Sequence, residues 1–498
     1  MTPETAVSDT HILMVSLSVF YLVSEWIIRI VALFTITKGR TPAAALAWLA
    51  VIFFHPYIGM LIYFLMGETG VGKGRRDEYA AKLDQVENSL NSRCMQKLEL
   101  AKQMEILRPD IAPNMQPLVM LTEKVGGMHI LGGNDIHTIT DTAELIERLV
   151  ADIDQARRHA HLLYYIFEDD HSGRQVADAL SRAAARGVKA RLLTDAIGSK
   201  AMYKRGKKRL ANRLRQAGVE LYPILPVRFF RSKLSRMDLR NHRKLAVIDG
   251  SIAYTGSHNI VDASYGHKDL EWHDMSVRIT GASVMHLQQV FLEDWYFAAN
   301  AVLEEPDIYP MPEVCGDVII QVVPSGPVYA NKGFQNMIVE AIHTARRHII
   351  ITSPYLVPDE ASLLALKLAV LRGVQVDVVV PEKSDQIMVG ACARAYYDDL
   401  LTAGIHLYLY QPGLVHAKTL SVDDGFGMIG SGNFDIRSFY LNFELNLLFH
   451  GSVAAARIRF LQKHYIDQSR RLTSAEWQTR SAGRQRLENI AKLMAPVL

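Results

Sequence analysis

Two segments of this chain carry the same reactive side chains at the same spacing. The first reads His242-x-Lys244-x4-Asp249-x6-Gly256-Ser257-x-Asn259, the second His416-x-Lys418-x4-Asp423-x6-Gly430-Ser431-x-Asn433. A neutral imidazole is a nucleophile and a charged one is a proton donor. Ammonium and carboxamide groups donate hydrogen bonds to anionic oxygens, and do so most effectively where water is excluded. Two His-Lys-Asn clusters therefore suit a phosphodiester. One imidazole attacks phosphorus to give a covalent phosphohistidine, and the other protonates the leaving alkoxide. Because the two must hold opposite protonation states, their titrations are expected to be coupled and the pH–rate profile bell-shaped. No metal is expected, since there is no His-rich or Cys-x-x-Cys cluster and a lysine two residues from each His opposes a bound cation. Lone histidines are usually satisfied core residues; His258, His267 and His273 are read that way, and only the doubled spacing sets His242 and His416 apart.

Positioning these groups requires strands. Residues two apart on an extended segment share a face, so each His-x-Lys pair points one way. Each motif continues through an apolar run, Leu245 to Ile248 or Thr419 to Val422. It then turns at Asp249-Gly250 or Asp423-Asp424-Gly425 and returns through Ile252 to Thr255 or Met428 to Ile429. That pattern predicts two β-hairpins, each delivering His, Lys and Asn to one end of a sheet.

The repetition extends beyond the motifs. Ala156-Arg157-Arg158-His159 before an apolar run matches Ala345-Arg346-Arg347-His348, Arg186-Gly187-Val188 matches Arg372-Gly373-Val374, and Ala217-Gly218-Val219 matches Ala403-Gly404-Ile405. Helices alternate with apolar strands in both copies. The expected fold is α/β: two halves, each a mixed sheet flanked by helices, forming a pseudo-dimer with its site between them. The expected organisation is two transmembrane helices in 1–67, a helical linker in 68–115, a first half in 116–305, a second half in 306–470 and a basic amphipathic tail in 471–498.

Composition narrows the partners. In 498 residues with 49% hydrophobic content, a formal net charge of +3 provides no global basic field for nucleic acid. Three scattered cysteines suggest a reducing compartment and no disulfide scaffold. The stretch from Ile12 to Thr37 is broken only by Glu25 and Arg29, and Ala43 to Met66 carries no charge. Each is long enough to cross a bilayer, for which about 20 residues suffice. A transmembrane hairpin is therefore expected, kinked at Pro56, with Glu25 and Arg29 neutralising each other one helical turn apart. Lys38 and Arg40 between the stretches are outnumbered by Lys73, Arg75, Arg76 and Lys82 after them, which favours both ends being cytoplasmic. The basic aromatic run Arg228-Phe229-Phe230-Arg231-Ser232-Lys233, continuing to Arg236 and Arg240, suits an anionic lipid surface or a solvated loop with its two phenylalanines buried, and the tail offers a second candidate surface helix or a helix docked on the globular part.

The duplicated motif resembles that of the phospholipase D superfamily. Over nearly the whole chain the similarity extends to the bacterial cardiolipin synthases, through Asn241-His242-Arg243-Lys244, Tyr254-Thr255-Gly256-Ser257, Pro354-Tyr355-Leu356-Val357-Pro358, Asp435-Ile436-Arg437-Ser438 and Leu441-Asn442-Phe443-Glu444. The resemblance implies two phospholipase D-like halves in a bacterial inner membrane protein with a cytoplasmic catalytic domain. Its implied substrate is phosphatidylglycerol and its implied product cardiolipin, with a hydrolase or another alcohol acceptor as alternatives. One phosphodiester replaces another, so no nucleotide cofactor is implied, and no Gly-x4-Gly-Lys-Ser/Thr loop is present. By the same resemblance His242 is the nucleophile and His416 the general acid. Lys244, Lys418, Asn259 and Asn433 hold phosphate oxygens, with Ser257 and Ser431 as further candidates or as caps of the turn. Asp249 and Asp423 complete the motif as hairpin supports. Each imidazole needs an orienting carboxylate. Glu444 is expected to serve the second half, and Asp274, or Glu271 by closer spacing, the first. Symmetry alone does not order the two histidines, and oligomeric state is left open.

Overall fold

The computed structural model describes residues 3–38, 42–66, 102–126, 128–203, 209–226, 239–266, 270–303, 305–329, 332–493 and 495. The N-terminal helices form one compact unit and the described residues from 102 onward a second. In the first unit, helix Pro3–Ile36 contains Met14–Ile36, which is long and apolar enough to cross a membrane. The second apolar stretch differs from expectation. It forms two shorter helices, Pro42–Phe54 and Pro56–Met66, interrupted at His55. Proline has no N–H to donate and clashes with the preceding turn, so the expected kink is a break between helices. The described residues thus show one helix of spanning length rather than a hairpin of two. Glu25 and Arg29 form the ion pair their spacing suggests, at 3.2 Å.

The second unit is built on one sheet of fifteen strands whose order is nearly palindromic. From the centre outward the first half contributes Leu131–Ile139, Ser276–Thr280, Ile252–Gly256, Lys244–Ile248, His159–Tyr164, Lys189–Asp195 and Glu220–Ile224. The second half mirrors it with Val318–Ser325, Glu444–His450, Phe426–Gly430, Thr419–Val422, His348–Thr352, Gln375–Pro381 and His406–Tyr410, and adds Ser469–Leu472 at its edge. The central strands of the two halves are antiparallel, pairing Leu131 with Ile320 and Asn134 with Val318 across a bulge. Each motif hairpin is antiparallel, and the three outer strands of the repeat are parallel. Helices connect those parallel strands, as such crossovers require. Two of them, His171–Ala185 and Glu360–Leu371, start on Asp170 and Asp359, whose carboxylates accept from the backbone N–H three residues on.

One core spans the halves. Leu245, Val247, Leu287 and Phe291 of the first cluster with Val322, Ile429, Leu445 and Leu447 of the second, all fully buried. Each such side chain contributes roughly 1.5–3 kcal/mol on burial. Relative motion of the halves would expose this surface, so the ends of the two hairpins are held at a set distance. The C-terminal helices Ser474–Gln478 and Ala482–Lys492 fold onto the second half through Arg480 to Asp398 (2.7 Å) and Arg394 to Glu488 (2.9 Å). The basic aromatic run at 228–233, together with Arg236 and His267, lies outside the described residues, as does most of the expected linker in 68–115.

Candidate active site

The two motif hairpins have equivalent registers, Leu245 facing Thr255 in one and Thr419 facing Ile429 in the other. Both turns place an aspartate in the left-handed region, with φ of 52° at Asp249 and 49° at Asp423. That strain is compensated by hydrogen bonds. The Asp249 carboxylate accepts from the backbone N–H groups of Arg157, Arg158 and His159 at 2.8–2.9 Å. Asp423 does the same for Arg346, Arg347 and His348. Both aspartates are occupied at the turn, as hairpin supports.

At the other end of each hairpin, Lys244 Nζ donates to the His242 carbonyl at 2.6 Å and Lys418 Nζ donates to the His416 carbonyl. The segments preceding the histidines do not pair within their own half. Leu414 and Val415 run parallel to Trp272 and His273, and the His416 N–H donates to the His273 carbonyl at 2.8 Å. Reciprocally, Asn241 bridges Phe443 and the His242 N–H donates to the Phe443 carbonyl at 2.9 Å. The residue after His273 is Asp274, and the residue after Phe443 is Glu444. Each carboxylate therefore reaches the histidine of the opposite half: Asp274 Oδ1 lies 2.6 Å from His416 Nδ1 and Glu444 Oε1 lies 3.3 Å from His242 Nδ1.

This corrects the expected pairing of Glu444 with the second motif and Asp274 with the first. Strand exchange across the pseudo-two-fold carries each carboxylate over. Glu271, the other candidate, is exposed, and its backbone carbonyl accepts the Leu414 N–H. Ser257 and Ser431 are corrected too. Ser257 Oγ donates to Asp274 at 2.5 Å and accepts the Met275 N–H, while Ser431 Oγ donates to Glu444 at 2.6 Å and accepts the Leu445 N–H. Both hydroxyls are spent on the carboxylates rather than offered to a phosphate. The preceding glycine explains the close approach: a Cβ on Gly256 would stand 2.5 Å from the Met275 carbonyl oxygen.

Electrostatics follow from burial. Burial opposes ionisation of Asp274, but His416 holds its carboxyl well below the usual range through charge and hydrogen bonding. Burial likewise opposes ionisation of Glu444, and His242, Lys244 and the Ser431 hydroxyl overcome it. Burial pushes Lys244 down to about 8 and Lys418 to about 7, with the nearby carboxylates opposing it. Burial also pushes His416 down to about 4 against the pull of Asp274. The two histidines differ in access, His242 having 19% of its side chain exposed and His416 8%.

His242 lines a cavity of about 260 Å³ together with Tyr165, Arg240, Asn433, Arg437 and Asn442. The Asn433 carboxamide oxygen is buried and without a partner among the described residues, whereas Asn259 Oδ1 accepts the Ile166 N–H at 3.1 Å. Several contacting residues were not read from the motifs. Tyr165 and Trp272 pack against His242 and His416 with ring centroids 4.2 Å apart in both cases. The Asn442 carboxamide lies 3.1 Å from His242 Nδ1. Arg243 is fully buried, donates to Asp294 at 2.8 Å and to the Glu444 carbonyl at 3.2 Å, and so ties the first motif to the strand that brings in Glu444. The repeat itself held the signal: Arg243 stands where the second motif has Ala417. Among the described residues no acidic, cysteine and histidine cluster could hold a metal ion.

Two copies of one hairpin, joined in a continuous mixed sheet with each histidine backed by a carboxylate of the other half, define a phospholipase D-like fold. The crystal structure of phosphatidylserine synthase from Haemophilus influenzae Rd KW20 has the same fold, with a TM-score of 0.60 at 14% identity, covering 78% of this chain and 100% of that one. A family model described as cardiolipin synthase, PLD-like domain, matches residues 149–295 and 338–463, and one described as phospholipase D-nuclease N-terminal matches residues 27–68. Cardiolipin synthase A from Pectobacterium carotovorum subsp. carotovorum (strain PC1) is 34% identical over 496 residues, covering 97% of this chain and 100% of the relative. The Serratia proteamaculans (strain 568) protein of the same name is 33% identical over 497 residues, with the same coverage. The chain belongs to the cardiolipin synthase family, phosphatidyltransferases of the phospholipase D superfamily.

Proposed function

We propose that this protein moves a phosphatidyl group from one phosphatidylglycerol to a second, giving cardiolipin and glycerol through a phosphohistidine. The observation that carries this reading is the convergence of two His-Lys pairs from opposite halves, each histidine backed by a carboxylate from the other half. A carboxylate on Nδ1 fixes the tautomer, leaving Nε2 free to react.

His242, the more accessible imidazole, attacks phosphorus while His416 gives a proton to the departing glycerol oxygen. The phosphorus–oxygen bond breaks as the phosphorus–nitrogen bond forms. His416, now neutral, takes the proton from a hydroxyl of the second phosphatidylglycerol. That oxygen attacks phosphorus and releases His242. Lys244, Lys418, Asn259 and Asn433 offset the charge on the phosphate oxygens. Burial favours neutral His416. A bound phosphodiester anion opposes that penalty, so substrate binding raises the proton affinity of His416 as it is needed. The exchange is near thermoneutral and uses no cofactor.

The test supplies the purified full chain with phosphatidylglycerol alone. Cardiolipin and glycerol in equal amounts are expected. Phosphatidic acid would indicate a hydrolase, and a product seen only after adding another alcohol would indicate another acceptor. The apolar helix Met14–Ile36 supports residence in the bacterial inner membrane. The 25 residues of Pro42–Met66, at about 1.5 Å each, are long enough to return across it despite the break at Pro56. Such a multi-pass arrangement would leave the catalytic unit in the cytoplasm, as the charges of Lys73, Arg75, Arg76 and Lys82 favour. Protease accessibility in inverted membrane vesicles tests that placement.

A further inference from the structure

Helix Ala482–Lys492 buries one face and exposes aliphatic side chains among polar ones on the other. Glu488 and Ala491 point inward, Glu488 receiving Arg394, Arg480 and Arg484. On the outward side Leu487, Ile490 and Leu493 are 69%, 61% and 77% exposed. Their spacing of three places them in one stripe, and the helical rotation sets Arg486, also exposed, between Ile490 and Leu493. Helix Ile387–Arg394, held to this one by the Arg394–Glu488 pair, exposes Ile387 and Met388 at its start. Val389, the next residue, lines the cavity that holds His242, and so does Ala495 just beyond the C-terminal helix.

Isolated exposed aliphatic residues are ordinary, but five on two joined helices that both reach the wall of one cavity make a patch. We propose that this patch seats on the surface of an anionic bilayer, giving lipid a dry route to the His242 cavity. Two arguments select that occupant. Aliphatic side chains with an arginine among them match the acyl boundary and headgroup charge of an anionic leaflet. The patch is also continuous with a cavity that, on the reading above, takes a membrane lipid. The proposal rests on that reading for the identity of the lipid.

The first test does not depend on turnover. The full chain, carrying Ile490→Cys with Cys94→Ala, Cys315→Ala and Cys392→Ala, is nitroxide-labelled in vesicles of equal phosphatidylglycerol and phosphatidylcholine. Collisions with dissolved oxygen should exceed those with an aqueous nickel chelate. A probe as open to the chelate as one on the exposed helix position Glu147→Cys, or spectra broadened by a second nitroxide on a second copy, would overturn the proposal. The second test compares two substrates. Leu487→Glu with Ile490→Glu should lower transfer in vesicles about tenfold. Turnover of short-chain phosphatidylglycerol dispersed as monomers should stay within about twofold of the parent. Equal loss on both, or none on either, overturns it. If the parent chain turns over neither substrate, the transfer reading fails while the nitroxide result still decides the patch.

Discussion

The two halves of the catalytic unit share a sheet order and a hairpin register but do not present equivalent histidines. In the first, His242 opens to the cavity, its Nδ1 shared between Glu444 and Asn442, and the buried Arg243 ties its hairpin to Asp294 and to the Glu444 strand. In the second, Ala417 replaces that arginine, and His416 is enclosed against Trp272 with a shorter bond to Asp274. A nucleophile needs room for phosphorus to approach. An acid that becomes a base gains from an enclosed site where proton affinity responds to the arriving charge. On the proposed mechanism the repeat keeps its motif in both halves, and the two roles are divided by burial and neighbours.

The largest effects come from removing either imidazole. His242→Ala and His416→Ala should each lower phosphatidylglycerol transfer about a thousandfold or more. A phosphatidyl ester with a nitrophenol leaving group separates them, because such a group departs without a proton. His416→Ala should release nitrophenol and label His242, whereas His242→Ala should do neither; a label on His416 would reverse the roles.

Next are the carboxylates. Asp274→Asn and Glu444→Gln should each cost about a hundredfold, from loss of the Nδ1 partner. Asp274→Asn should add little to the loss in His416→Ala but a further loss to His242→Ala. The opposite couplings would show that each carboxylate serves its own half.

A smaller effect is set by pH. Lys418 at about 7 and Lys244 at about 8 lie below the ordinary lysine value, so they lose charge across that interval as pH rises. Inhibition of the free enzyme by tungstate, a tetrahedral oxyanion, should weaken about tenfold between pH 6 and 9. A flat profile would show that both ammonium groups keep their charge. Smallest are Ser257→Ala and Ser431→Ala, each removing one hydrogen bond to a carboxylate. A loss of about five- to tenfold in kcat with little change in KM is expected, and a raised KM alone would return the serines to phosphate binding.

Much of this was legible in the residues. The period of two along His242-x-Lys244, the turn at Asp249-Gly250 and the glycine before each serine describe a hairpin whose geometry is local, and the hairpins have that form. The helix–strand alternation and the duplicated Arg-Gly-Val turns described a layered α/β repeat. Less legible was the N-terminus, where hydropathy measures apolar length but not the break that Pro56 makes between helices. The serine hydroxyls were open between a phosphate and the turn, and only the approach of the neighbouring strand directs them to Asp274 and Glu444.

The sequence by itself determined which side chains the two hairpins carry and that there are two of each, because strand periodicity and turn chemistry act over a few residues. Tertiary structure alone decided which carboxylate meets which histidine, which imidazole is open and which lysines are desolvated. Those depend on pairing between segments far apart in the chain, Leu414–Val415 with Trp272–His273 and Asn241 with Phe443, and on the burial that the joined halves impose.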